Sequence, residues 1–188
     1  NGLNATLNWK SPILADKTLT WSNGEKGKAM GGTSGTVRKI WAVNAFSSDE
    51  LASYADHKIT AINVMLNSAV TEMRLVILEN SKIVYSQQVP AEEIAALEVH
   101  KWAKIALTTP YVIDPSAELS YGYYVVHAAD LFPGLLDSGP AISGACFIST
   151  STAKPDFDTT VPSWTNIEAA ANANWMLSAD VEAQSEIK

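Results

Sequence analysis

Residues 72–89, EMRLVILENSKIVYSQQV, decide the fold class. Met73, Leu75 and Ile77 fall on one side of the first run and Glu72 and Arg74 on the other, the period of two that a half-buried strand requires. A second run, KIVYSQQV at 82–89, is reached through Asn80-Ser81 alone. So short and polar a link between two strand-like runs reads as a β-hairpin. The same signal recurs outward in both directions. Upstream lie 18–22 (TLTWS), 37–46 (VRKIWAVNAF) and 59–66, where Ile62, Val64 and Leu66 share one face. Downstream lie 101–108 (KWAKIALT), 119–127 (LSYGYYVVH), 142–149 (ISGACFIS) and 174–181 (NWMLSADV). Pro110, Pro115, Pro133, Pro140, Pro155 and Pro162 fall between or at the margins of these runs, where they cost no ladder hydrogen bond.

About nine short strands in sequence, without alternating long helices, predict antiparallel pairing and an all-β sandwich of jelly-roll type. Residues 23–35 (NGEKGKAMGGTSG) read as a loop, too glycine-rich for a helix or a central strand. Two short helices are expected. Ser47 and Glu50 form a capping-box pattern, and 90–98 (PAEEIAALE) begins with Pro90 and early acids. No repeat of 20–50 residues is visible, which removes solenoids and propellers. Residues 1–17 read as a linker or strand remnant, and 18–188 as the single sandwich domain.

Composition narrows the function. The 188 residues carry 13 Lys+Arg against 20 Asp+Glu, a formal net charge of −7, and are 47% hydrophobic. Arg38 and Arg74 are the only arginines and no basic cluster exists, so a nucleic-acid footprint is missing. No uncharged apolar run approaches the roughly 18–20 residues that span a bilayer. Six Trp, six Tyr and four Phe argue against disorder.

Few residues suggest chemistry. Cys146 is the one cysteine, lies in an apolar run, and reads as a buried hydrophobe rather than a nucleophile. Gly32-Thr33-Ser34-Gly35-Thr36 lacks the final Gly and the strand–turn–helix context of a nucleophile elbow. Gly27-Lys28 lacks the leading Gly and the Ser/Thr of a phosphate loop. His57, His100 and His127 stand in three separate segments without ligand spacing. Asp137-Ser138-Gly139-Pro140 is first a turn. Asp156 and Asp158 would face one side only if that stretch is extended. They are the weak calcium candidates, although no EF-hand loop is present, and otherwise no cofactor is expected. Asn4-Ala5-Thr6 matches a glycosylation sequon.

Aromatic residues make the binding argument. Trp41, Trp102 and Trp175 lie inside predicted strands and read as core. Tyr121, Tyr123 and Tyr124 add ring surface. Trp164 follows Val161-Pro162-Ser163 in a loop, so it is the candidate ligand-binding ring, and Trp164→Ala is expected to abolish any glycan binding.

The order of several phrases resembles a family of exported bacterial β-sandwich modules. These occur in cell-surface proteins and secreted peptidases, beside fibronectin type III-like and gingipain-haemagglutinin-type adhesin domains. The phrases are 40–46 (IWAVNAF), Asp49-Glu50-Leu51 with Tyr54, 57–62 (HKITAI), 86–89 (SQQV), Trp102 to Leu107, and Val112-Ile113-Asp114. Later ones are Glu118-Leu119 with Gly122-Tyr123, Phe132-Pro133, 137–141 (DSGPA), Gly144, and Trp164 with Asn174-Trp175. The similarity covers roughly residues 18–182, and residues 3–12 are similar to the start of a fibronectin-like strand or linker. Ala91–Glu98 is longer than the usual turn, Ala103 replaces a polar residue after the tryptophan, and Ala145-Cys146 stands where a Gly-Asp-type turn is common. Any ligand or ion function of that turn is therefore not carried over.

The resemblance implies a non-catalytic, extracytoplasmic module for cell adhesion or for binding protein or glycan. It implies location at the cell surface, on the outer membrane or in the periplasm, and transfers no catalytic residue. Expected partners are a host or neighbouring-cell protein or glycan and other domains of the same surface protein. The negative charge favours neutral or basic partners. Three alternatives remain: a glycan-active hydrolase or lyase domain or its accessory, needing two acids or a Tyr/His pair that converge in a cleft; a structural spacer; and a carbohydrate-binding module acting through Trp164.

Overall fold

A computed structural model describes residues 17–31, 38–151, 155–158 and 162–184. The deciding hairpin is present: β5 (Glu72–Glu79) pairs antiparallel with β6 (Lys82–Gln88), closing at Glu79 opposite Lys82. Asn80 and Ser81 both have positive φ, 47° and 66°. That is the conformation a two-residue turn needs to match the twist of its flanking strands.

Around this hairpin two sheets form a sandwich. One contains β1 (Lys17–Thr20), β12 (Leu177–Ala183), β4 (His57–Met65) and β7 (Trp102–Val112), in that spatial order. The other runs β11 (Thr165–Asn166), β10 (Cys146–Ser151), β3 (Arg38–Phe46), β8 (Leu119–His127), β5, β6. Every pairing is antiparallel. The orders β1-β12-β4-β7 and β3-β8-β5-β6 are those of an eight-stranded jelly roll, which β10 and β11 widen on one side.

The alternation read from sequence now has a partner on each side. Leu19, Ile62, Val64, Ile105 and Val181 meet Ile40, Ala42, Met73, Leu75, Ile77 and Val125 in one buried core. A polar clamp crosses it. Asn44 is fully buried; its Nδ2 donates to the Tyr121 hydroxyl at 3.3 Å and to the Leu177 carbonyl at 3.2 Å. The Tyr121 hydroxyl donates in turn to the Leu19 carbonyl, so β3 and β8 are tied to β1 and β12. Cys146 Sγ donates to Asn44 Oδ1 at 3.3 Å. Burial pushes this thiol up to about 12, and the thiolate is the reactive form. Native protein is therefore expected to resist iodoacetamide at neutral pH and to be alkylated once unfolded in urea, as read by mass spectrometry. Rapid alkylation of the folded chain would contradict this burial.

Three strands went unread in the sequence. Residues 26–30, expected as loop, form β2 (Lys26–Met30), which pairs with β9 (Gly134–Asp137). Glycine favours this pairing for a local reason. A Cβ at Gly27 would lie 1.8 Å from the Asp137 carbonyl oxygen, so the close approach excludes any side chain. The third is the two-residue β11. Short helices are α1 (Ser48–Leu51), with its Ser47/Glu50 capping box formed, α2 (Ala91–Ala96), for which Pro90 is the N-cap residue, and α3 (Glu168–Ala171).

The β7 edge is closed by a side chain. Gln87 Oε1 accepts from Thr108 N at 2.8 Å and its Nε2 donates to the Ala106 carbonyl at 3.0 Å. This amide reproduces the donor–acceptor pair of a neighbouring strand and covers a stretch of open edge.

Candidate binding surface

The outer face of the four-stranded sheet is built by strand alternation. In β7, Ile105 and Leu107 point into the core, so Trp102, Lys104, Ala106 and Thr108 point out. Register then places Trp102 beside Met65, and Lys104, Asn63, Ser178 and Thr20 in one row across the four strands. The next row is Ala106, Ala61, Asp180 and Thr18. Successive rows lie about 6.7 Å apart along the strands.

Polar side chains on this face hold one another. Asp180 Oδ1 accepts from Asn63 Nδ2 at 2.6 Å, and Oδ2 faces Lys104 Nζ at 2.7 Å. Asn63 Nδ2 also reaches Ser178 Oγ at 3.1 Å. Partial burial would raise the Asp180 carboxyl, but hydrogen bonds from Lys104 and Asn63 outweigh it and hold the group below its usual range. The hydrogen bond and charge of Asp180 likewise raise the Lys104 ammonium. At neutral pH the face therefore carries an ion pair whose charges cancel. One row along the same face from Lys104 is Trp102, 43% exposed.

Trp102 thus corrects the sequence reading that placed it in the core with Trp41 and Trp175, which are 1% and 0% exposed. The signal was present in KWAKIALT: Trp102 has the opposite parity to Ile105 and Leu107. Tyr121, Tyr123 and Tyr124 are all buried and offer no open ring surface.

Trp164 lies on the other sheet. It is half-buried, and its ring meets Trp41 edge-on at 6.4 Å. Phe157 packs there too, 5.3 Å from Trp41 and 5.2 Å from Tyr124, under the Arg74 guanidinium at 4.4 Å. These rings cover the outer face of the six-stranded sheet, where Trp41, Val43, Val76, Leu78, Tyr124 and Val126 form a second apolar cluster. Asp156 and Asp158 flank Phe157, and both are exposed. Their stretch is a turn rather than an extended strand: Asp158 N donates to Asp156 Oδ1 at 3.0 Å. Among the described residues no group of three or more His, Cys, Asp or Glu is arranged to hold a metal ion.

Other candidates take structural positions. Asp137 is 1% exposed and accepts from Asn23 N, Gly139 N, Asn174 N and Asn174 Nδ2 at 2.8–3.1 Å. Glu50 and Glu118 border a groove of about 330 Å³ at one end of the six-stranded sheet. There Glu50 Oε2 accepts from Ser47 N and Oγ at 2.7 and 2.8 Å, which commits it to the start of α1. His57 and His127 are buried, with Nδ1 against the Ala55 and Ala128 carbonyls. The Gly32–Thr36 segment and the Asn4 sequon lie outside the described residues. No helix among the described residues is long and apolar enough to cross a membrane.

No known family, curated protein or solved structure matches the chain.

Proposed function

We propose that this chain is a non-catalytic binding module of an exported bacterial surface protein, acting in adhesion, with the outer face of the four-stranded sheet as its contact surface. The observation that carries this reading is Trp102: a large ring, 43% exposed, beside polar side chains already fixed by one another. Exposed aromatics of this kind supply much of the energy of recognition surfaces, and fixed neighbours lose little freedom on binding. Groups that could serve a reaction have other duties. The Cys146 thiol is buried and protonated, Asp137 is enclosed by its donors, and Glu50 caps a helix. Export and adhesion follow from the family resemblance in residues 18–182.

Retention of the fluorescently labelled domain on mucin-coated and collagen-coated surfaces tests the reading. Trp102→Ala is expected to reduce retention at least about tenfold, the loss of roughly 1.4 kcal/mol. Trp164→Ala is expected to leave it within about twofold. Loss with Trp164→Ala and none with Trp102→Ala would move the contact surface to the six-stranded sheet.

A further inference from the structure

We infer that the Trp102 face takes an internal stretch of a neutral, extended glycan chain, with the indole stacked on one sugar ring and the Lys104–Asp180–Asn63 network holding hydroxyls of the next. This rests on the reading that the face is the contact surface, and adds what it contacts. The form of the surface comes first. Lys104, Asn63, Ser178 and Thr20 occupy one row across four neighbouring strands. Strands are spaced about 4.8 Å apart, so the row is roughly 14 Å long, the length of about three pyranose units. A sheet face is a floor, which supports a chain passing over it and does not select a chain end.

The chemistry of the ligand follows from the side chains. The C–H face of a pyranose is apolar and matches the flat indole, while its rim of hydroxyls both donates and accepts. The platform offers both partners: the Lys104 ammonium and the Ser178 hydroxyl as donors, and the Asp180 carboxylate and the Asn63 amide oxygen as acceptors, since both Asn63 Nδ2 hydrogens are given to Ser178 and Asp180. Charge then excludes polyanions. The one ammonium of this network is paired with Asp180 at 2.7 Å, and the chain carries a net charge of −7. A uronate or sulfate would find no uncompensated cation there and would be repelled at longer range.

Isothermal titration calorimetry of the whole chain decides the matter. The probes are neutral β-linked gluco-, xylo- and manno-oligosaccharides of increasing length, with polygalacturonate and heparin as anionic counterparts. In at least one neutral series affinity is expected to rise about tenfold between the disaccharide and the tetrasaccharide, then level off. It should change less than about twofold between low and high salt, because no net charge is screened. Trp102→Ala is expected to cost at least about tenfold, and Asn63→Ala about three- to tenfold through lost hydrogen bonds. Val84→Ala, an exposed apolar residue on β6, should change nothing. Preference for heparin or polygalacturonate, a steep salt dependence, or a disaccharide binding as tightly as a hexasaccharide would each overturn the inference. If Trp102→Ala abolishes retention on the coated surfaces while no neutral glycan titrates, the glycan assignment fails and the contact surface stands. If Trp102→Ala alters neither measurement, both fail.

Discussion

Asp137→Ala is expected to lower the unfolding free energy by about 4 kcal/mol or more, since each orphaned buried donor costs about 1–3 kcal/mol. The carboxylate is the acceptor for three backbone N–H groups and one side-chain amide, drawn from the loop after β1, the turn after β9 and the segment before β12. Asn174, its main partner, also donates to the Pro140 carbonyl at 3.0 Å and accepts from Ile142 N at 2.8 Å. Asp137 N donates to the Asn174 carbonyl at 2.8 Å, so the two residues hold each other by backbone and side chain together. Alanine would strand the donors in a site that is 1% exposed. Domains are stable by only about 5–15 kcal/mol, so such a loss approaches the threshold for folding. Urea denaturation followed by tryptophan fluorescence measures it. Asp137→Asn keeps one acceptor oxygen and turns an amide toward existing donors, so it should fall between wild type and alanine. A midpoint for Asp137→Ala within error of wild type would show that these bonds do not hold the loops.

That cluster also shows where sequence reading stops. Asp137-Ser138-Gly139-Pro140 was legible as a turn, because Asp and Gly have local preferences that a turn uses. Its partners Asn23 and Asn174 are more than 30 residues away on either side, and nothing local signals them. The hairpin at 72–89 was legible for the opposite reason: its period and its turn sit in one short stretch. β2 was illegible because its pairing with β9 is long-range and its glycine serves a close approach rather than a local preference. Trp102 was legible in principle, since parity within its own strand sends it outward. Its position inside a strand outweighed that signal. Trp164 shows the converse. A loop tryptophan suggests an open ring, but Ile40-Trp41-Ala42-Val43 is apolar on both parities. A strand apolar on both faces needs a cover on each, and Phe157 and Trp164 provide the second one.

Trp41→Ala should expose that dependence, with an expected loss of about 3–5 kcal/mol, the usual cost of deleting a buried aromatic. The residue is 1% exposed and paired across the ladder with Tyr124, whose ring lies 5.1 Å away. Phe157 and Trp164 both rest on it, so the cavity opens beneath the covering segment and cannot be filled by the sheet, whose register is fixed on both sides. Two measurements separate this from a general loss of stability. Thermal unfolding gives the energetic cost. Acrylamide quenching of Trp164, in chains where Trp9, Trp21 and Trp102 are replaced by Phe, reports whether its ring is released. Both should change together, because the ring that holds Trp164 is the one removed. Binding at the Trp102 face should survive at temperatures below the lowered midpoint, since Trp41 faces outward from the opposite sheet and distant sites contribute independently. Trp164 as the ligand ring would give another pattern: Trp164→Ala would lose binding with little loss of stability. From the packing of Trp164 on Trp41 and the proposed contact at Trp102 we expect the reverse, a loss of stability with binding intact. A Trp41→Ala chain that melts within about 1 kcal/mol of wild type, with Trp164 no more quenchable, would show that the covering segment packs on its own and return Trp164 to the ligand side.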